Sequence, residues 1–267
     1  MPAPPLANNY EGGTNGTAVS AANSGGASGN AFTSVDGTLA DYHAAIARGS
    51  LSVRIAQTAT PASSRMYWAS LGNIAGSNVY FRAYLYVPAN PATNLNWFEW
   101  RTSTPTRSAA VFIRTGGTLR ITDDALASLV ETTSTIALNQ WIRVEFRILP
   151  STTAGEVELR LYNDPDSTTA TDTKVATGLT TLAATVDALR FGHTSAPANF
   201  VNYFDEVAVS TSGWIGPTAG AAAQKGRPDA DLATGGWTPT PSSPSTLYDK
   251  IDESAADDAD YIEATAS

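Results

Sequence analysis

The chain has 267 residues, a net charge of −9, 15% charged residues and no cysteine. Lacking cysteine, it has neither disulfides nor a thiolate metal site, and lacking an apolar run near about 18 residues it has no candidate transmembrane helix, so no membrane partner is expected. Residues 224–267 carry −6 of the net charge and the sequence has no run of basic residues, so polyanion binding is disfavoured and no nucleic-acid partner is expected.

Residues 1–8 contain Pro2, Pro4 and Pro5 and read as an extended N-terminal arm. They have no basic n-region and no apolar h-region, so a secretory signal peptide is not expected. Residues 9–37 are rich in Gly, Asn, Ser and Thr, with short β-like pieces at 17–19 and 31–32. Residues 41–48 suggest one short helical turn. From 50 onward the period is two: Leu51, Val53 and Ile55 alternate with polar residues over 50–56. Over 79–87, Val79, Phe81, Ala83, Leu85 and Val87 share one face, and Tyr80, Arg82, Tyr84 and Tyr86 share the other. Residues 97–101, 110–114 and 119–122 read as further strands, the last two joined at Gly116-Gly117. Residues 140–149 set Ile142, Val144, Phe146 and Ile148 against Trp141, Arg143, Glu145 and Arg147, and 156–162, 187–191 and 204–209 complete the series. Alternation with no helical pattern between strands predicts an all-β, two-sheet antiparallel sandwich over 9–217. Residues 218–223 are a small-residue linker, and 224–267 form a C-terminal extension, with a short helix or turn expected at 246–253.

The two ends of the main domain carry Asn8-Asn9-Tyr10-Glu11-Gly12-Gly13 and Tyr203-Phe204-Asp205-Glu206-Val207-Ala208-Val209. Here the chain resembles the concanavalin A-like and LamG-like jelly rolls, in which an opening aromatic-Glu-x-Gly lies beside an acidic last strand. The resemblance implies a jelly-roll topology and a structural calcium ion held by Glu11 and Asp205 with backbone carbonyls. Calcium takes about six to eight oxygen ligands, which suits carboxylates beside a Gly-rich loop. The alternative is that both carboxylates bond local backbone without a metal.

The aromatic-polar faces are the second candidate. Tyr80, Arg82, Tyr84, Trp100 (or Trp97), Trp141 and Arg143 suit stacking on sugar rings and bonding of their hydroxyls. More commonly, such residues fill a sandwich core or cover a sheet. Catalysis has weaker support, and a non-enzymatic protein is expected. Glu99 stands alone, Glu156 and Glu158 share a strand face beside a loop, and His43 and His193 sit in no catalytic pattern. A carbohydrate-binding module, or less readily a polysaccharide hydrolase or lyase, is the alternative.

The tail runs through Gly235-Gly236-Trp237-Thr238-Pro239, Leu247-Tyr248-Asp249-Lys250-Ile251-Asp252-Glu253 and Asp257-Asp258-Ala259-Asp260-Tyr261-Ile262. It resembles a segment of structural proteins of actinobacterial tailed phages. That implies a virion protein, a capsid decoration or minor tail component, assembled in the bacterial cytoplasm and displayed on the particle. Its partners would be other capsid or tail proteins, with a host-surface glycan as a further ligand, and symmetric homo-oligomers fit a symmetric particle. Trp237, Leu247, Tyr248, Ile251, Tyr261 and Ile262 are the expected attachment anchors, apolar residues that a solvated acidic linker has no use for.

Overall fold

The computed structural model describes residues 5–57, 63–104, 106–195, 199–218, 237–240 and 261–264. The chain divides into two units, Met1–Thr218 and Ala219–Ser267. The strands of the first unit are β1 (Leu6–Asn8), β2 (Ser34–Asp36), β3 (Ala40–His43), β4 (Ser52–Ala56), β5 (Ser64–Trp68), β6 (Val79–Tyr86), β7 (Leu95–Arg101), β8 (Arg107–Ile113), β9 (Leu119–Asp123), β10 (Ser128–Glu131), β11 (Trp141–Leu149), β12 (Gly155–Tyr162), β13 (Asp172–Leu179), β14 (Ala188–Ser195) and β15 (Val201–Ser210). In the second unit β16 (Trp237–Thr240) pairs antiparallel with β17 (Tyr261–Ala264).

The first unit is the expected two-sheet antiparallel jelly-roll sandwich. The larger sheet has the order β13-β12-β11-β6-β15-β4-β3, with β1 also on β15, and the smaller one is β10-β9-β8-β7-β14-β5-β2. Alternation builds the interior: Phe81 and Phe146 from the larger sheet meet Phe98 from the smaller, with ring centroids 4.4 Å (Phe81–Phe98) and 5.0 Å (Phe98–Phe146) apart. Trp97, Trp100 and Phe191 close around them.

Two local expectations are corrected. Residues 6–8 are not a free arm: β1 pairs with Val207–Val209 of β15. A register shift between Asp205 and Ala208 lets β15 take β4 as neighbour over 201–204 and β1 over 207–209. Glu206, at a φ of 49°, marks that bulge. Residues 41–48 do not form a helical turn, because Asp41 pairs with Arg54 and their side chains bond at 3.0 and 2.7 Å. Strands β2, β5, β10 and β13 have no counterpart in the sequence pattern. The short helix or turn expected at 246–253 lies outside the described residues.

One buried polar contact joins the two sheets. His193 of β14, fully buried, places Nε2 2.6 Å from Asn202 Oδ1 of β15. Since Asn202 Oδ1 is an acceptor, the proton of the neutral ring sits on Nε2. Burial lowers the His193 pKa from the ordinary 6.5 to about 4, the bond to Asn202 opposing the shift. The fold therefore binds fewer protons than the unfolded chain between these values. Its stabilising contribution is complete above pH 6.5 and is lost as the pH falls toward 4. The loss is about 3 kcal/mol at roughly 1.4 kcal/mol per pKa unit. Thermal midpoints measured from pH 7 to 4 are expected to fall less steeply in His193→Gln, which retains a donor for Asn202 without titrating. Equal slopes in the two proteins would show that His193 does not govern the acid limb.

Candidate functional site

Alternation sends Tyr80, Arg82, Tyr84 and Tyr86 of β6, and Trp141, Arg143, Glu145 and Arg147 of β11, to the outer face of the larger sheet. There they stand opposite one another as Trp141↔Tyr86, Arg143↔Tyr84, Glu145↔Arg82 and Arg147↔Tyr80. Trp100 does not join them. It belongs to the smaller sheet and is 0% exposed, its ring 4.4 Å from Phe98 and 5.6 Å from Phe146. A register shift between Asn96 and Phe98 resets which β7 side chains point inward.

Most of that outer face is closed to a ligand. Arg82 donates to the carbonyls of Glu206 (3.1 and 3.0 Å) and Gly216 (3.1 Å). Tyr84 Oη accepts the Thr218 amide at 2.8 Å, and the Arg48 guanidinium lies 4.0 Å over its ring. Arg143 pairs with Glu145 at 2.9 Å and donates to the carbonyls of Ser167 (2.8 Å) and Pro165. Its guanidinium also lies 3.8 Å over Tyr162. Tyr80 meets the Trp214 ring edge to face at 5.1 Å. Arg82, Tyr84 and Arg143, read from the sequence as sugar contacts, are thus buried beneath the segments around 165–167 and 216–218. Buried guanidiniums need acceptors, and the carbonyls of these segments supply them.

One end of the face stays open. A single cross-strand row runs Trp141–Tyr86–Tyr203–Arg54–Asp41 over β11, β6, β15, β4 and β3. Tyr86 stands edge to face with Trp141 (5.9 Å) and Tyr203 (5.7 Å), and His43 lies 5.3 Å from Tyr203. Beside Trp141 is a cavity of about 430 Å³ lined by Arg48, Gln140, Trp141, Asn163, Asp164 and Pro165. Its rim is fixed: Gln140 Nε2 donates to the Asn163 carbonyl at 2.8 Å, Asn163 Oδ1 accepts the Ala137 amide at 2.8 Å, and Arg48 pairs with Asp166 at 2.6 Å. Burial raises the Tyr203 hydroxyl pKa, with Arg54 opposing, so this phenol remains a hydrogen-bond donor at neutral pH. An aromatic floor beside amide, guanidinium and carboxylate groups is a surface that stacks on a sugar ring and bonds its hydroxyls. Of this group the sequence reading singled out Trp141; Arg48, Gln140, Asn163 and Asp164 come from three separate loops, and no local pattern links them.

The two terminal carboxylates meet on one segment. Glu11 accepts the amides of Ser50 (2.9 and 3.1 Å) and Leu51 (3.2 Å). Asp205 accepts those of Arg48 and Glu206, both at 2.8 Å. Gly49 permits the approach, since a Cβ there would collide with Glu11 Oε1. Burial pushes the Asp205 carboxyl well above its usual range; the Arg48 amide bond opposes this, and the charges of Glu206 and Glu11 add to it. Burial likewise raises Glu206, with Arg82 and Arg48 opposing. Oxygen donors and crowded buried negative charge suit a hard divalent cation in type. Among the described residues no group of three potential side-chain ligands is assembled, so backbone carbonyls would have to supply the remaining oxygens.

The acids and bases weighed for catalysis have structural partners. Burial alone would raise the Glu99 pKa, but Arg190 and Arg101 outweigh it and hold the carboxyl below its usual range. Glu156 and Glu158 pair with Arg147 at 2.9 and 3.3 Å, and Glu158 also pairs with Arg160 at 2.7 Å.

No family model and no curated protein matches the sequence. Among solved structures the chain is similar to a cellulose-induced protein, at 14% identity over 67% of this chain and 88% of that one, with a TM-score of 0.48. It is similar to the Trypanosoma rangeli sialidase at 10% identity, covering 77% of this chain and only 30% of the sialidase, with a TM-score of 0.46. Lectin II from Ulex europaeus is similar at 11% identity over 64% of this chain and 90% of the lectin, with a TM-score of 0.42. Likenesses this distant carry no functional argument. The strand pairing itself establishes the class to which the main unit belongs: an all-β, two-sheet antiparallel sandwich.

Proposed function

We propose that the protein is a non-enzymatic jelly-roll binding domain that holds a glycan in the Trp141 groove. The observation that carries this reading is the half-exposed pair Trp141 and Tyr86, backed by the buried Tyr203, beside the polar rim of Gln140, Asn163, Asp164 and Arg48. Elsewhere on that face the same residue types are buried by loops. Trp141→Ala is expected to weaken binding of the best neutral oligosaccharide by about thirtyfold, the ~2 kcal/mol of an aromatic anchor. Because Trp141 is half-exposed, the melting temperature should hardly change. A glycan array followed by calorimetry on both proteins tests this, and a neutral-sugar affinity indifferent to the substitution refutes the groove.

The cluster of Glu11 and Asp205 is proposed as a structural calcium site that secures the 48–51 segment at the groove's edge. Calcium at a hundredfold excess over its Kd is expected to stabilise the protein by about 2.7 kcal/mol. In Glu11→Gln that gain should shrink. Identical melting curves with calcium and with chelator would remove the metal.

A second reading concerns location: display on a phage particle, with the C-terminal unit as the attachment. It rests on the resemblance of that segment to tailed-phage proteins. It gains support from the pairing of Trp237–Thr240 with Tyr261–Ala264, which sets the anchors Trp237, Tyr261 and Ile262 on two strands. A two-stranded sheet alone is marginal in water, so it would gain from a neighbour on the particle. Leu247, Tyr248 and Ile251 lie outside the described residues. Particles that incorporate a chain truncated after Pro217 at full occupancy would defeat this reading.

A further inference from the structure

The outer face of the smaller sheet has a different character. Five adjacent strands carry guanidiniums there: Arg65 on β5, Arg190 on β14, Arg101 on β7, Arg107 on β8 and Arg120 on β9, with Arg114 just past β8. The carboxylates paired with these six arginines are four, namely Asp36, Glu99, Asp124 and Glu131. A cationic excess therefore sits on one face of a chain whose net charge is −9. Burial lowers the Arg190 pKa, Glu99 opposes this, and the charges of Arg101 and Arg65 lower it further.

At one end of this band is a pocket of about 150 Å³ lined by Asn94, Phe112, Arg114, Arg120, Thr122 and Leu126. Phe112 points outward, because its neighbours Val111 and Ile113 are in the core. Arg114 and Arg120 both face Glu131, yet their side chains remain 29% and 26% exposed. Thr122 is only 3% exposed, and its Oγ1 has no hydrogen-bond partner among the described residues. A buried hydroxyl without a partner is costly, and a ligand that bonds it recovers that cost.

We propose that this pocket binds a carboxylated sugar residue of an acidic polysaccharide. Phe112 underlies the ring, Arg114 and Arg120 take the carboxylate, and Thr122 bonds a ring hydroxyl. The rest of the chain then crosses the strands toward Arg190 and Arg65, the latter about 19 Å away at four strand spacings. Guanidinium forks match carboxylates in geometry as well as charge, and the aromatic floor with a free hydroxyl fits a sugar ring better than an acidic peptide. This site is on the sheet opposite the Trp141 groove and stands independently of it.

The test is calorimetry on the full chain with hexagalacturonate, polyglutamate and dextran sulfate at low and high salt. Hexagalacturonate is expected to bind with strong salt dependence, to lose about tenfold or more in affinity in Arg120→Gln and in Phe112→Ala, and to be unaffected by Trp141→Ala. Arg114→Gln, at an exposed turn, gives the same readout if Arg120→Gln folds poorly. The proposal is overturned if hexagalacturonate does not bind, if its binding ignores the arginine variants, or if it is abolished by Trp141→Ala. Polyglutamate or dextran sulfate binding as tightly as hexagalacturonate would also overturn it, by showing that charge alone is read. Loss of neutral-sugar binding in Trp141→Ala, with hexagalacturonate binding intact, would leave each site standing on its own evidence.

Discussion

Phe98→Ala is expected to destabilise the protein by about 3–5 kcal/mol, the range for emptying a well-packed aromatic position. Phe98 is fully buried, and its ring lies 4.4 Å from Phe81, 5.0 Å from Phe146 and 4.4 Å from Trp100. With Trp97, Trp100 and Phe191 it forms the aromatic contact between the smaller sheet and the larger. The cavity cannot readily collapse, because β7 is paired on both sides, with β8 and with β14. Urea unfolding should show a lower midpoint at unchanged slope. Leu126→Ala, at a position 54% exposed, is the control and should stay within about 0.5 kcal/mol of the parent. A Phe98→Ala loss no larger than that control would mean that the aromatic cluster does not hold the sheets together.

Glu145→Ala is expected to cost about as much, ~3–5 kcal/mol, for an electrostatic reason. Arg143 and Glu145 form an ion pair at 2.9 Å with each side chain only 1% exposed. Glu145 also accepts the Gly216 amide at 3.3 Å. Removing the carboxylate leaves a buried guanidinium with no counter-charge, its remaining partners being the Pro165 and Ser167 carbonyls and the Tyr162 ring. Replacing both residues, as in Arg143→Met with Glu145→Leu, should recover most of the loss, because no charge is then stranded. The double variant should loosen the 165–167 segment, whose carbonyls lose their donor, and protease cleavage there should accelerate. A Glu145→Ala protein within about 1 kcal/mol of the parent would show that water reaches Arg143 and that the face is less tightly covered than its geometry indicates.

The amino-acid sequence on its own determined the class of fold and most of the interior. Where one face of a strand is aliphatic and the other polar, as in 79–87 and 140–149, a period of two admits only one half-buried arrangement, and β6 and β11 follow it side chain by side chain. Strands without that contrast left no trace. Strand β13 exposes Val175 to 50% and packs only Ala176 and Leu179, both partly buried, against the core, so backbone pairing with β12 does most to place it. Strand β1 is three residues long and finds its place because a bulge in β15 opens an edge for it. The sequence also marked Glu11 and Asp205, but the 48–51 amides that join them are contributed by a loop with no recognisable pattern.

The tertiary structure alone decided which polar-aromatic residues remain available to a ligand. Alternation says that Tyr84, Arg143 and Trp141 point the same way, since each strand's side chains obey local backbone geometry. Whether a loop then lies over them depends on contacts between residues far apart in the chain, such as Thr218 with Tyr84 and Ser167 with Arg143. Trp100 went to the core because the register of β7 shifts within the strand, which resets the face of its side chains, and only the assembled sheet sets that register.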